Sequence, residues 1–448
     1  MKTGDSLKPG YKLEDLTSDD YKRVEWLPNN YKVAESIEYV AGVRSGHSQT
    51  GQLRFVWDEK HKDRKTAKLF VKQYFHSPES STLYANIRDI NSLFNRELRN
   101  SKRIHDNVGA LVPCVKGYSV EDLVLCFEYV SGLSDRDRLL KAMMDENEDQ
   151  RRTLIYDGVR KIASFDGKVQ ARKQYFGLDL MEQRNTSEMQ VGKLVDYLSK
   201  IVRYTYRLQG REIETLEQVK DVVREDKNVH LVDEVVKIVQ LGEQFSLPQV
   251  LQHGDCRLQH VFGEKFVDLE QFGVHPQGYD LVTYLNAEGS IAQLSIRELP
   301  NLLGWFLAYE RAAVRTSWRN NELKNLSKMS QEDVLQTVPI DERLRFMVGF
   351  LAMDIIENLH LDASNKTYKQ EHLEELVSGI PNYDVKKMMN ARVTHVSDVF
   401  SLVSDSYLLL EHLSTRKVVT EYFSAFAGLL QRLDVVDIPE NVLGKLKV

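Results

Sequence analysis

The sequence predicts an α+β protein, with a small β-rich lobe at its N-terminal end and a larger, mainly helical lobe after it. Three observations carry that expectation. The stretches SIEYVAGV (36–43), GQLRFVWD (51–58) and KTAKLFVKQYF (65–75) are rich in β-branched and aromatic residues, as strands are. From residue 134 onward the apolar residues fall at helical spacing instead. Inside that helical half one segment, QHGDCRLQHVFGEKFVDLEQFG (252–273), breaks the pattern with two brief apolar runs around a turn.

The elements can be justified in order. The third strand alternates, with Leu69 and Val71 facing one way and Phe70 and Lys72 the other. RSGHSQTG (44–51), with Gly46 and Gly51, is a polar turn between the first two strands, and EKHKDRK (59–65) is a charged turn before the third. SLFNRELRNSKRIHDN (92–107) reads as a helix with Leu93, Leu98 and Ile104 on one face. LVPCVKGYSVEDLVLCFEYVSG (111–132) reads as a strand, a turn and a stronger strand closed by Gly132. The boundary is set there: residues 1–132 form the first lobe with an N-terminal extension, and 133–448 the second. Ser134 or Asp135 caps the first helix of that second lobe. Further helices are expected at 191–210, 301–318, 330–338, 343–361 and 418–433. Within 252–273, HVF and KFV form a small hairpin turning at Gly263-Glu264. Trp305, Phe306 and Tyr309 read as helix core.

Bulk properties exclude several classes. At 448 residues, 42% hydrophobic and 28% charged, the composition is that of an ordinary globular protein with room for two or three domains or one bilobal enzyme. A net charge of −6 gives no basic excess, so nucleic acid is not expected as a partner. Cys114, Cys126 and Cys256 are scattered and make no C-x-x-C, which argues against a disulfide framework or a cysteine zinc site. The opening MKTGDSLKPGYKLEDLTSDDY lacks the apolar core of a signal peptide. The run FMVGFLAMDII (346–356) is well short of the ~20 residues a membrane span needs. No span is expected, and a cytoplasmic location is.

Segment 252–273 concentrates the chemistry. A hairpin returns the chain on itself, so Asp255 and Asp268 can reach one side of a polar pocket together with His260. Carboxylate oxygens suit magnesium. A second aspartate without a metal can orient a hydroxyl and accept its proton. A metal-dependent hydrolase using His253, Asp255, His260 and Asp268 would explain the same segment, but it leaves Lys72 and the strands-then-helices order without a role.

The order H-G-D, a hairpin, then VDLEQFG, with GYDLVTYL (278–285) downstream, resembles the catalytic segment of aminoglycoside and choline kinase-type phosphotransferases. The likeness covers scattered motifs between about residues 36 and 290. It implies a bilobal protein-kinase-like fold, with the catalytic hairpin at about 250–285, and transfer of a phosphoryl group from ATP, with Mg²⁺, to the hydroxyl of an unidentified acceptor. It implies Asp255 as the catalytic base, Asp268 as a magnesium ligand, Asp280 as a buried brace of the catalytic loop, and His253 as structural support under that loop. Lys72 falls at the nucleotide lysine, with Glu97 as its carboxylate partner. The backbone around Glu128, Tyr129 and Val130 would meet the adenine edge, and the turn containing Gly46 would cover the phosphates. Glu270 reads as a supporting or surface residue. One departure stands out: the family carries Asn five positions after the aspartate, and this chain has His260. An imidazole there is either a replacement metal ligand, a direct phosphate contact, or the mark of a kinase-like scaffold that binds nucleotide without transfer.

Overall fold

The computed structural model describes residues 11–44, 48–57, 66–75, 90–176, 231–287, 292, 294–316, 322–368, 385–432 and 436–446. They form two compact units: Met1–Leu133 with His260–Phe272, and Ser134–Gln259 with Gly273–Val448. The expected α+β class holds, the first unit being built on a sheet and the second mainly on helices.

The first unit's sheet has strands β1 (Ser36–Arg44), β2 (Ser48–Val56), β3 (Thr66–Tyr74), β4 (Val115–Ser119) and β5 (Val124–Glu128), in the order β1-β2-β3-β5-β4. Every pairing is antiparallel. The two-residue period of β3 sorts its side chains. Leu69 and Val71 join a core with Phe55 and Trp57, closed by Leu13, Tyr21, Trp26 and Leu27 of the N-terminal segment. That segment carries helices α1 (Ser18–Arg23) and α2 (Asn29–Lys32). Thr17 caps α1, its side chain accepting from the Asp20 N–H while the Asp20 carboxylate accepts from the Thr17 N–H. Gln73 ties the segment down: its amide oxygen accepts from Leu13 N at 3.2 Å and its amide nitrogen donates to Tyr11 O at 2.9 Å.

The other face of β3 meets helix α3 (Ile90–Val108) through Tyr74, Leu93, Phe94 and Leu98, with Phe70 packed alongside. α3 is amphipathic, and its buried stripe also contains a carboxylate, Glu97. A charged side chain in that position needs a partner.

The second unit starts with α4 (Asp135–Met144), capped by Ser134 in a box with Asp137. Helix α5 (Glu148–Ala171) follows and was not anticipated. Along its second half Lys161 and Asp166 are as buried as Ile162 and Phe165, so it shows no single apolar stripe. After α6 (Leu231–Glu243) come four short strands, β6 (Gln249–Gln252), β7 (Val261–Phe262), β8 (Lys265–Phe266) and β9 (Gly273–Pro276). β6 pairs with β9, and β7 with β8. The β7–β8 hairpin belongs to the first unit. It turns at Gly263, whose φ of 58° suits glycine at the first turn position.

The remaining helices are α7 (Tyr279–Asn286), α8 (Leu299–Thr316), α9 (Glu322–Leu326), α10 (Gln331–Gln336), α11 (Ile340–Tyr368), α12 (Val385–Asp405), α13 (Tyr407–Leu410), α14 (Arg416–Arg432) and α15 (Glu440–Leu446). The expected helices at 301–318, 330–338, 343–361 and 418–433 correspond to α8, α10, α11 and α14; α12 was not anticipated. Phe306 and Tyr309 are buried in α8, as expected of helix core, while Trp305 is only half-buried. The expected helix at 191–210, the turn at 59–65 and Gly46 lie outside the described residues. Among those residues no helix is long and apolar enough to cross a membrane.

Gly117 of β4 lies directly against the carbonyl of Trp26, and a Cβ there would overlap that backbone oxygen. Gly117→Ala must therefore push the N-terminal segment off the sheet. The expected loss is roughly 2–4 kcal/mol, read by denaturant unfolding; a loss near zero would mean that the segment moves freely.

Candidate active site

Each unit contributes one polar cluster. In the first unit, Lys72 sits on the α3-facing side of β3 and is buried. Its Nζ lies 2.6 Å from Asp268 Oδ1, 2.9 Å from Glu97 Oε2 and 3.7 Å from Glu270 Oε2. The ammonium also stands 4.9 Å from the centre of the Tyr74 ring. The Tyr74 hydroxyl donates to Glu97, with Glu270 Oε2 at 3.3 Å as a second acceptor. Three carboxylates thus outnumber the ammonium they share, and one oxygen from each of Glu97, Asp268 and Glu270 lies within 4.8 Å of the others.

The electrostatics follow from burial. Burial pulls the Lys72 ammonium toward the neutral form, but Asp268 and then Glu97 outweigh it and hold the group charged, well above the ordinary lysine range. Burial pushes the Glu97 carboxyl up, and Lys72 opposes that only in part. The Tyr74 phenol is driven well above its usual range by burial and then by Glu97, so it remains a neutral donor.

Local backbone places Asp268. It stands between β8 and a 3₁₀ turn, Leu269–Gln271, with φ 65° and ψ 59°. That left-handed conformation is costly for most side chains and least so for Asp and Asn. Asn100 of α3 secures the turn, its amide donating to the carbonyls of Leu269 (3.0 Å) and Phe272 (3.3 Å). His260 Nε2 lies 3.3 Å from Asp268 Oδ2, so the imidazole that replaces the expected Asn touches the aspartate directly. At the end of β5, Glu128 pairs with Lys265 at 3.1 Å and its N–H donates to Cys114 O at 2.8 Å. Tyr129 follows, its ring centre 5.2 Å from Lys68 Nζ, and then Val130, which is half-buried.

The second unit holds the loop of Asp255. Asp280, in the first turn of α7, is fully buried. Its two oxygens accept from His253 N and Gly254 N, each at 2.7 Å. Gly254 has φ 85°, the left-handed geometry that the tight turn into Asp255 requires. His253 is buried; its Nδ1 lies 3.4 Å from Asp255 N and its ring packs 6.2 Å from that of Phe165. Thr283 of α7 donates to Cys256 O at 3.3 Å. Asp255 is itself half-buried and pairs with Arg257 Nε at 2.8 Å. Two further acids are buried nearby: Asp166 of α5, which acts on Asp280, and Glu310 of α8, which acts on Asp166.

Lys72, Glu97, Asp268 and His260 therefore meet in one cluster, and His253, Asp255 and Asp280 in the other. Sequence reasoning left out Tyr74 and Asn100 and undervalued Glu270. The available signal was spacing. Tyr74 stands two residues beyond Lys72 on the same strand face, and Asn100 three beyond Glu97 on the same helix face. Asp166 and Glu310 gave no such signal, because nothing in their helices' patterns marks them.

Comparison with known proteins adds the following. No protein-family model matches the chain, and no curated protein matches it. Among solved structures it is similar to an ethanolamine kinase from Plasmodium vivax, at 13% identity over 83% of this chain and 84% of that one, with a TM-score of 0.41. It is also similar to a choline kinase from Cryptosporidium parvum Iowa II, at 12% identity over 85% of this chain and 92% of that one, with a TM-score of 0.45.

Burial pushes the Glu310 carboxyl up to about 7, although the Gln277 amide donates to it. An acid raised above its unfolded value favours folding fully at pH below that unfolded value. The contribution is lost as pH rises through about 7. The wild type should accordingly lose about 3 kcal/mol of stability between pH 4.5 and pH 8 from this group. Glu310→Gln should remove that slope. Parallel melting curves for the two proteins that run with the same pH slope would refute the assignment.

Proposed function

We propose that the chain is a phosphotransferase that moves the γ-phosphoryl group of ATP to a hydroxyl of a small molecule. The observation that supports this most strongly is the buried Lys72 ammonium, 2.9 Å from Glu97 and 2.6 Å from Asp268. A lysine fixed by a helix glutamate beside an acid suited to a metal is the arrangement that phosphoryl transfer needs. The chemistry is mostly positioning and charge neutralisation, so prefixed charges are its main tool.

The roles divide by unit. In the first, Lys72 pairs with the nucleotide phosphates, and Glu97, oriented by the Tyr74 hydroxyl, holds the lysine in place. Asp268 and Glu270 carry hard oxygen donors that fit magnesium. The ion when bound would neutralise charge on the phosphate oxygens. In the resting cluster Lys72 occupies Asp268, and phosphate arriving with the nucleotide is what draws the ammonium away and frees that carboxylate. His260, in contact with Asp268, either orients it or meets a phosphate oxygen. The adenine edge meets the backbone at the end of β5, at the Glu128 carbonyl and at Tyr129 and Val130, the Glu128 N–H being spent on Cys114. In the second unit Asp255 accepts the proton of the acceptor hydroxyl, Arg257 orients its carboxylate, and Asp280 holds the loop. A hydrolase centred on His253 is disfavoured, since that ring is buried with its Nδ1 facing the Asp255 N–H.

His260 is the one observation favouring a nucleotide-binding protein without transfer, and a single experiment separates the two. ATP turnover is measured with magnesium and a panel of small hydroxyl compounds, including amino alcohols. Asp255→Asn should lower kcat roughly 10²–10⁴-fold while leaving ATP-induced thermal stabilisation intact. Lys72→Ala and Asp268→Asn should weaken that stabilisation as well. Equal turnover in wild type and Asp255→Asn would remove Asp255 from the mechanism. ATP stabilisation with no turnover on any acceptor would establish the binding protein instead.

A further inference from the structure

Asp166 of α5 is fully buried, and among the described residues no donor reaches either of its carboxyl oxygens. The charged groups that act on it are both acids, Asp280 of α7 and Glu310 of α8. The Cys256 thiol faces Asp280 and Asp166 from the Asp255 loop, and His253 faces Asp280. Two buried carboxyls side by side cannot both stay ionised. The choice between them is set by hydrogen bonds. Asp280 accepts from two backbone N–H groups at 2.7 Å, which stabilise its anion. Asp166 has none, so the shared proton belongs on Asp166. Protonation also resolves its missing partner: as an acid it carries an O–H donor, and the Asp280 carboxylate beside it is the acceptor.

We propose that Asp166 is a positioning residue, a neutral carboxylic acid that donates a hydrogen bond to Asp280 and so fixes the carboxylate that grips the backbone of His253 and Gly254 ahead of Asp255. The surrounding contacts keep α5 in register for this task. Phe165 packs on the His253 ring, and the Gln170 side chain accepts from Leu251 N at 3.2 Å. At Gly167 the helix lies so close to the Glu310 backbone that a Cβ would overlap the Glu310 carbonyl. The neighbouring Asp166 is thereby held where it is, with no room to turn toward water.

The consequence for turnover rests on the phosphotransferase reading, but the proton and the hydrogen bond do not, so the test has two layers. Infrared spectra at a pH well above 7, where Glu310 is ionised, should show un-ionised carboxyl C=O intensity in the wild type that is lost in Asp166→Asn. Hydrogen exchange of the His253 and Gly254 amides should be at least ~10-fold faster in Asp166→Leu than in wild type, and Asp166→Asn, whose amide still donates, should recover the protection. In turnover, Asp166→Leu should lower kcat about 10-fold with KM for ATP within about twofold, and Asp166→Asn should regain most of the loss. The absence of a band that depends on Asp166, or equal amide exchange in the Leu and Asn variants, would overturn the proposal. Should the Leu variant fail to fold, the infrared comparison with Asp166→Asn still decides it. Should the wild type transfer no phosphate, the infrared and exchange results stand by themselves, and only the reading of the site as a kinase falls.

Discussion

Everything in the first unit depends on one constraint: an ammonium placed inside protein must be surrounded by acids. Lys72 is buried on β3 with little access to water, and Asp268 and Glu97 supply the compensation. That need links three separate pieces of chain. It fixes the rotation of α3, because Glu97 has to face the sheet. It draws in the turn after the β7–β8 hairpin, because Asp268 must reach the ammonium from a left-handed backbone. It recruits Tyr74 and Glu270, which fill the rest of the cluster. Three carboxylates against one ammonium is a poor arrangement for stability alone, since removing charge would cost less than pairing it.

The second unit solves a different problem with the same means. The Asp255 loop turns sharply at Gly254, and its backbone N–H groups would be orphaned inside the protein without an acceptor. Asp280 supplies both oxygens from the first turn of α7, and Gln252 in turn accepts from the Asp280 N–H at 3.1 Å. Elsewhere in the unit, buried polar side chains tie helices together in the same way. Asp354 of α11 accepts from Asn286 of α7 at 2.6 Å and pairs with His395 of α12 at 2.7 Å. Arg392 of α12 donates to the Asn286 carbonyl at 2.8 Å. Apolar packing alone could hold such helices at several rotations, whereas a buried hydrogen-bond network is satisfied by one.

Much of this was legible beforehand, for local reasons. Period-two alternation identified β3 and placed Lys72 on the face opposite Leu69 and Val71. Helical spacing identified α3 and set Glu97 among its residues. The Gly263-Glu264 turn identified the hairpin, and the Ser134 cap identified the start of the helical unit. These are properties of a few adjacent residues, and chain stereochemistry enforces them wherever the segment lies. Helix α5 escaped because burial around most of its second half erases the stripe by which a helix is recognised; α12 does carry such a stripe, with Val396, Val399, Phe400 and Val403 buried, so the signal there was present and was not used.

The sequence by itself determined the kinds of element, their order, and which ionisable residues lie on the same face of each. Only the tertiary structure decided which of those residues meet. Nothing local says that Tyr74, Glu97 and Glu270 share one ammonium, that His260 touches Asp268, or that Asp166 stands beside Asp280 with no donor of its own. Such meetings depend on contacts between residues far apart in the chain. Their energies come from excluding water around charges, and that exclusion does not exist until each unit has folded.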